Sequence, residues 1–268
     1  MRIPGVTLFL LTVMICSAQH KADKNLISDE EIQSESIQQY FFFLTSNKVL
    51  DTATDKNAGT IHRVALNVFS AAKTYYTQKK KTADLQKFIW EVQLVDKKLI
   101  NAFCLPGARM IVGTGMFDWA QNDGSLTVAL AHELAHTLNK DGERRLRTAL
   151  QEKMGGKRFS ELMSSTHAND AKDIFLSAFG AGSSVALLPS YTPEDEIRAD
   201  QLAMIIMGLA GYNQREYLVF WERMDRWSRG PKQPALLSIH PYTPDRIAAM
   251  RDMVDEMIRT WYRPARKS

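Results

Sequence analysis

The stretch "VALAHELAHTLNKDG", residues 128–142, constrains this chain most tightly. Asn122 or Asp123 makes a good N-cap and Lys140-Asp141-Gly142 a good stop, so the sequence predicts a helix from about Gly124 to Asn139. Its flanking residues Leu130, Ala131, Leu134, Ala135 and Leu138 are small or apolar and call for burial. His132 and His136 then lie one turn apart on one face. Histidines in an apolar helix need polar partners. Two imidazoles so placed can converge on one Zn²⁺ at about 2.0–2.1 Å each. Glu133 follows roughly 100° round the axis, where it can take the proton of an attacking water without binding the metal. By itself H-E-x-x-H also fits an amphipathic helix with two partly exposed histidines.

A catalytic zinc site keeps three protein ligands and leaves one position for water. No histidine occurs between His136 and His167, so a short-spaced third histidine is absent. The segment "TPEDEIRADQLA", residues 192–203, offers carboxylates instead. Glu196 and Asp200 are four apart and share a helix face. Glu196 is the candidate third ligand, and Asp200 the acceptor that fixes a ligand histidine's tautomer. Ala199 and Ala203 would let this helix approach the first one closely. The helix dipole alone favours acids in a first turn and explains Glu194 and Asp195, but it does not reach Asp200.

Two further segments carry candidates. "HPYTPDRIAAM" supplies His240, Tyr242 and Arg246 as donors for a developing oxyanion or for substrate; the bland alternative is a helix-capping turn with a surface histidine. "LPGARMIVGTG" offers an edge strand, and Ala108, Arg109, Met110, Ile111 and Val112 would then hold an extended peptide through backbone bonds. His62 and His167 lack neighbours of ligand type and read as structural or surface residues.

Apolar periodicity predicts helices at 36–46, 60–77, 143–163, 168–187, 193–210, 213–227 and 244–261. Alternation predicts strands at 87–95 and 108–115. Few strands early and many helices later indicate α+β, mostly helical, in one domain over residues 19–268. Residues 1–18 read as a signal peptide: Arg2, an apolar run over 6–15, then Ser17 and Ala18. Cys16 raises lipid attachment as the alternative, and with it an N-terminal anchor at a membrane surface. Residues 174–188 are apolar but too short and too glycine- and serine-rich for a span, and read as a buried or groove-lining helix. The net charge of +4 is spread among acids and argues against nucleic acid as a partner. The run Lys79-Lys80-Lys81 reads as a solvated loop. Cleavage after Ala18 leaves one cysteine, Cys104, which reads as a small buried side chain.

Four blocks, "NAFCLPGARMIVGTGMF", "HELAH", "EIRAD" and "HPYTPDRIAAM", come in an order that resembles the zinc metallopeptidases of the CAAX prenyl protease and HtpX-like group with their secreted bacterial relatives. The resemblance covers about residues 97–255. It implies a gluzincin-like fold with a small antiparallel sheet beside the H-E-x-x-H helix and the strand near 108–113 at its edge. It implies one Zn²⁺ per chain on His132, His136 and Glu196, with Glu133 activating water, Asp200 behind the ligands, and His240 and Arg246 holding substrate or the oxyanion. Ala108, Cys104 and Asp141 depart from residues usual in parts of the group. The expected function is a secreted or periplasmic zinc endopeptidase acting on protein or peptide substrates in envelope quality control. The rival is a protease scaffold that binds envelope partners or misfolded chains and turns over little.

Overall fold

The computed structural model describes residues 26–181, 187–228 and 235–262. The expected signal peptide and Cys16 lie outside the described residues. The first helix, α1 (Asp29–Ser46), starts seven residues earlier than its apolar pattern indicates. Ser28 and Glu31 form a reciprocal capping box that satisfies the free N–H groups of its polar first turn. Helix α2 (Lys56–Gln78) follows, with Asp55 as N-cap.

Strands β1 (Glu91–Val95), β2 (Ala102–Leu105) and β3 (Arg109–Gly113) form a sheet of order β1-β3-β2. It is mixed rather than antiparallel: β2 and β3 pair antiparallel, whereas β1 runs parallel to β3. The tight turn at Pro106-Gly107-Ala108, with Gly107 at φ +87° and Ala108 at φ +60°, forces the antiparallel pair. Two consecutive reversals then leave β1 and β3 pointing the same way, with β3 in the centre. The sheet is buried on both sides. Met110 and Val112 face one core with Ala102 and Cys104, while Ile111 faces a second with Phe103 and Leu105. That two-sided burial explains why β2 shows no polar alternation in the sequence.

The motif helix is α3 (Asp123–Leu138), capped by Asn122, whose side chain accepts the Ser125 N–H at 2.7 Å. It is buried on all sides from Ser125 to His136. The predicted helix over 143–163 is two, α4 (Asp141–Lys153) and α5 (Phe159–Met163). The break falls at Gly155 and Gly156, both at positive φ, which glycine adopts without Cβ strain. Helix α6 (Ala168–Ala178) stops well short of 187, with Gly180 at φ +74° just beyond it, and residues 182–186 lie outside the description. Then come α7 (Pro193–Leu209), α8 (Arg215–Ser228), α9 (Ala235–Ile239) and α10 (Pro244–Trp261). Pro193 and Pro244 open their helices, where proline's missing N–H costs nothing. Helix α7 lies along α3, with Ala199 and Ala203 fully buried, so the two helices meet closely. Among the described residues no helix is long and apolar enough to cross a membrane.

Candidate metal centre

Helix α3 presents His132 and His136 from adjacent turns, and α7 brings Glu196 against them. Their ring Nε2 atoms lie 3.1 Å apart. Glu196 Oε2 lies 3.3 Å from His132 Nε2, and Glu196 Oε1 lies 3.5 Å from His136 Nε2. His240, in the turn between α9 and α10, enters the same cluster. Its Nδ1 lies 2.8 Å from Glu196 Oε1 and 3.1 Å from His132 Nε2. One ligand atom from each of the four residues falls within 4.8 Å of the others, and all four residues are buried. A tetrahedron with arms of 2.0–2.1 Å has edges of roughly 3.3–3.4 Å, so these separations suit one small cation. Glu133 Oε1 and Glu196 Oε2 are both buried, the first 3.2 Å from His240 Nε2 and the second 2.6 Å from Arg246 Nη1, without a well-aligned hydrogen bond. The donor set, imidazole and carboxylate, fits zinc.

Each histidine is oriented from behind. His132 Nδ1 lies 3.1 Å from Asp200 Oδ1 and 3.0 Å from the Tyr217 hydroxyl, which itself donates to Asp200 at 2.9 Å. His136 Nδ1 lies 2.7 Å from Asp141 Oδ2. These contacts leave both Nε2 atoms facing the cluster. Asp141 also accepts Arg144 and Arg198, so its charge is held in place from two helices.

Electrostatics follow from this crowding. Burial alone would raise the Glu196 carboxyl, but Arg246 and the surrounding histidines hold it well below the usual carboxylate range. Burial likewise opposes ionisation of Glu133, and His240 beside it, Nε2 to Oε1 3.2 Å, outweighs burial and keeps the carboxylate charged. Burial disfavours protonation of His136, yet its bonds to Asp141 and Glu196 push it up to about 9.

The profile of peptidase family M48 matches residues 55–254, most of the chain. The chain belongs to peptidase family M48. Among its relatives, the mitochondrial metalloendopeptidase OMA1 of Saccharomyces cerevisiae is 28% identical over 168 residues, 60% of this chain and 46% of that protein. Metalloendopeptidase OMA1 of Danio rerio is 29% identical over 184 residues, 66% of this chain and 38% of that one. The β-barrel assembly-enhancing protease of Escherichia coli is 22% identical over 171 residues, 61% and 34% respectively. The chain spans less than half the length of these relatives.

Within this M48 fold several expected residues take other positions. Arg246 does not face a substrate groove: it is 1% exposed, binds Asp200 through Nε and Nη2 at 2.7 and 2.8 Å, and lies 4.0 Å over the Trp221 ring. Its Nη1 sits 2.6 Å from Glu196 Oε2. A buried guanidinium must be paired, and the two carboxylates on α7 are its partners. Ala108, Arg109, Met110, Ile111 and Val112 do not form an edge either. Residues 109–112 belong to the central strand β3, whose backbone is paired on both sides, so it has no free edge for a peptide. Tyr242 is half-buried and packs against the main core. The strand nearest Glu133 is β2, whose Cys104 carbonyl accepts the Thr137 hydroxyl at 2.9 Å.

Residues with no signature in the sequence complete the site. Tyr191 stacks on His136 with ring centroids 4.0 Å apart and planes 11° apart, and its hydroxyl donates to Ala178 at 3.2 Å. The Arg145 guanidinium lies over the Tyr191 ring, 4.2 Å from its centroid, and donates to the Ala178 and Pro189 carbonyls. The crevice between Cys104, Glu133, His136, Phe179 and Tyr191 is about 10 Å³, room for one water at most. Tyr217 and Asp141 could have been sought as second partners for two buried histidines; Tyr191 left no such trace.

Proposed function

We propose that the chain is a zinc-dependent endopeptidase that hydrolyses protein or peptide substrates, with one Zn²⁺ held by His132, His136 and Glu196. The observation that carries this reading is the meeting of those ligand atoms within 4.8 Å, with the charged Glu133 carboxylate beside them. Bound zinc supplies a Lewis acid that polarises the scissile carbonyl and acidifies water. Glu133, kept ionised, takes the proton of the attacking water and returns it to the leaving amine. His240, whose Nε2 lies 3.2 Å from Glu133 Oε1, is the donor this reading assigns to the developing oxyanion. Asp200, Tyr217 and Asp141 keep the two imidazoles in one tautomer, and Arg246 neutralises the acids on α7. The Tyr191 cover must move for a peptide to reach Glu133, and the outer edge of β2 is then the backbone against which an extended substrate can lie.

We read the setting as the cell envelope. The Escherichia coli relative is named for β-barrel assembly, and the N-terminus has the pattern of a secretory or lipid-anchored chain. Mass spectrometry of the mature N-terminus tests that placement: loss of residues 1–18, or a lipidated Cys16, supports it, and an intact Met1 overturns it.

Glu133→Gln tests the chemistry. Zinc content should stay near one per chain while casein cleavage falls by roughly 10²–10⁴-fold, the usual contribution of a general base. Chelation should abolish cleavage by the parent and added zinc restore it. Undiminished cleavage by the Gln variant sinks the assignment of the base. A zinc-loaded parent that cleaves no unfolded protein supports the binding scaffold instead.

A second reading of His240, as a fourth ligand, is favoured by its 2.8 Å approach to Glu196 Oε1. His240→Ala separates the two: a large loss of zinc affinity marks a ligand, and a loss of kcat with zinc affinity kept marks the oxyanion donor.

A further inference from the structure

Phe179, just after α6, and Tyr191, just before α7, wall the crevice beside Glu133 and His136. At about 10 Å³ that crevice admits no peptide. Tyr191 is buried and held on several sides. Its ring stacks on His136 and lies 5.1 Å from the His240 ring. Its N–H donates to the Ile239 carbonyl at 3.1 Å, which ties it to the residue before His240. Its hydroxyl donates to the Ala178 carbonyl at 3.2 Å.

We propose that Arg145, on α4, is the latch that pins this cover shut and holds the folded chain in a closed, less active state. The guanidinium lies 4.2 Å from the Tyr191 centroid, where a cation is attracted to the ring. Its Nη1 donates to the Ala178 carbonyl at 2.9 Å and its Nη2 to the Pro189 carbonyl at 2.6 Å. Ala178 adjoins one wall of the crevice and Pro189 the other, so one side chain fastens both walls to α4. Ordinary surface pairing accounts for its neighbours: Arg144 meets Asp141 and Asp195, and Arg147 meets Asp29 and Glu143. Arg145 forms no such ion pair among the described residues, and its bonds go to the cover instead. None of these contacts is to a candidate ligand or to Glu133, so removing them loosens the cover and leaves the chemistry in place. Weakening a contact made only in the closed state shifts the population toward the open one. The gain in cleavage rests on the endopeptidase reading above; the latch itself does not.

Arg145→Met keeps the aliphatic stem and removes every donor. Hydrogen exchange on the metal-free full chain reads the latch without any need for activity. Amides of residues 187–192, Tyr191 among them, should exchange at least tenfold faster in the variant, while those of α3 keep their protection. Arg145→Lys, which retains the charge but cannot span two carbonyls, should fall between variant and parent. Unchanged exchange at 187–192 overturns the proposal, and so does an equal rise in α3, which would mark general loosening. In the zinc-loaded chain, kcat/KM for a short unstructured peptide should rise at least threefold in Arg145→Met, and a chelator should strip zinc at least fivefold faster. Faster exchange at 187–192 with kcat/KM unchanged or lowered overturns the inhibitory role. If neither parent nor variant cleaves any peptide, the endopeptidase reading fails, and the exchange result decides the latch alone.

Discussion

Arg246 and Asp200 form a two-pronged pair in the interior, Nε to Oδ2 at 2.7 Å and Nη2 to Oδ1 at 2.8 Å, with side chains no more than 1% exposed. Because the other oxygen-side contacts of Asp200 go to His132 and Tyr217, this pair connects α10 to the orientation of a candidate ligand. Removing one partner of a buried pair leaves an uncompensated charge, which costs about 3–5 kcal/mol. Arg246→Met should therefore unfold in urea at a markedly lower midpoint and lose zinc on dialysis. A variant as stable as the parent, with only KM raised, would restore Arg246 to the substrate.

Asp141→Asn addresses the other histidine. Asparagine can still accept from His136 Nδ1, but without the charge that makes the ring a better donor to metal. Zinc affinity should fall by about 10–100-fold, the range for partners behind a ligand. Competition against a chromophoric chelator measures it, and an unchanged affinity would remove Asp141 from the site.

The metal-stripped chain should be most stable in mildly acidic solution. His136 is raised to about 9 in the folded state from 6.5, so its contribution is complete below 6.5 and disappears as pH climbs through 9. Glu133 and Glu196 are shifted the opposite way, so their contribution holds above about 4.5 and is lost as pH falls below it. Urea midpoints of chelator-treated protein between pH 4 and 10 should trace a maximum near pH 5–6.5. A flat profile above pH 6.5 would contradict the His136–Asp141 bond.

Gly142 supplies a packing test. A Cβ there would come within 2.3 Å of the Phe179 ring and 3.1 Å of the Ala178 carbonyl oxygen. Gly142→Ala must displace Phe179, which lines the crevice beside Glu133, and should cost about 1–3 kcal/mol, as overpacking does. Thermal unfolding reads the cost, and no change in Tm would mean that α4 and the end of α6 are looser than they stand here.

What the sequence determined by itself was local. Spacing of four on a helix put His132 with His136, and Glu196 with Asp200, on common faces, because helix geometry depends only on neighbours along the chain. Capping residues and prolines located helix starts at Asn122, Pro193 and Pro244 for the same reason. The order of the four blocks already carried the family. The tertiary structure alone decided three other things. It put β3 in the centre of a mixed sheet, since strand order is set by which faces find cover, not by alternation within a strand. It turned Arg246 inward, because a guanidinium of that reach goes to whichever buried carboxylates the fold brings near. And it laid Tyr191, fifty-five residues from His136 in sequence, flat against that ring, a contact that depends on how α6, α7 and α9 pack and that no spacing along the chain encodes.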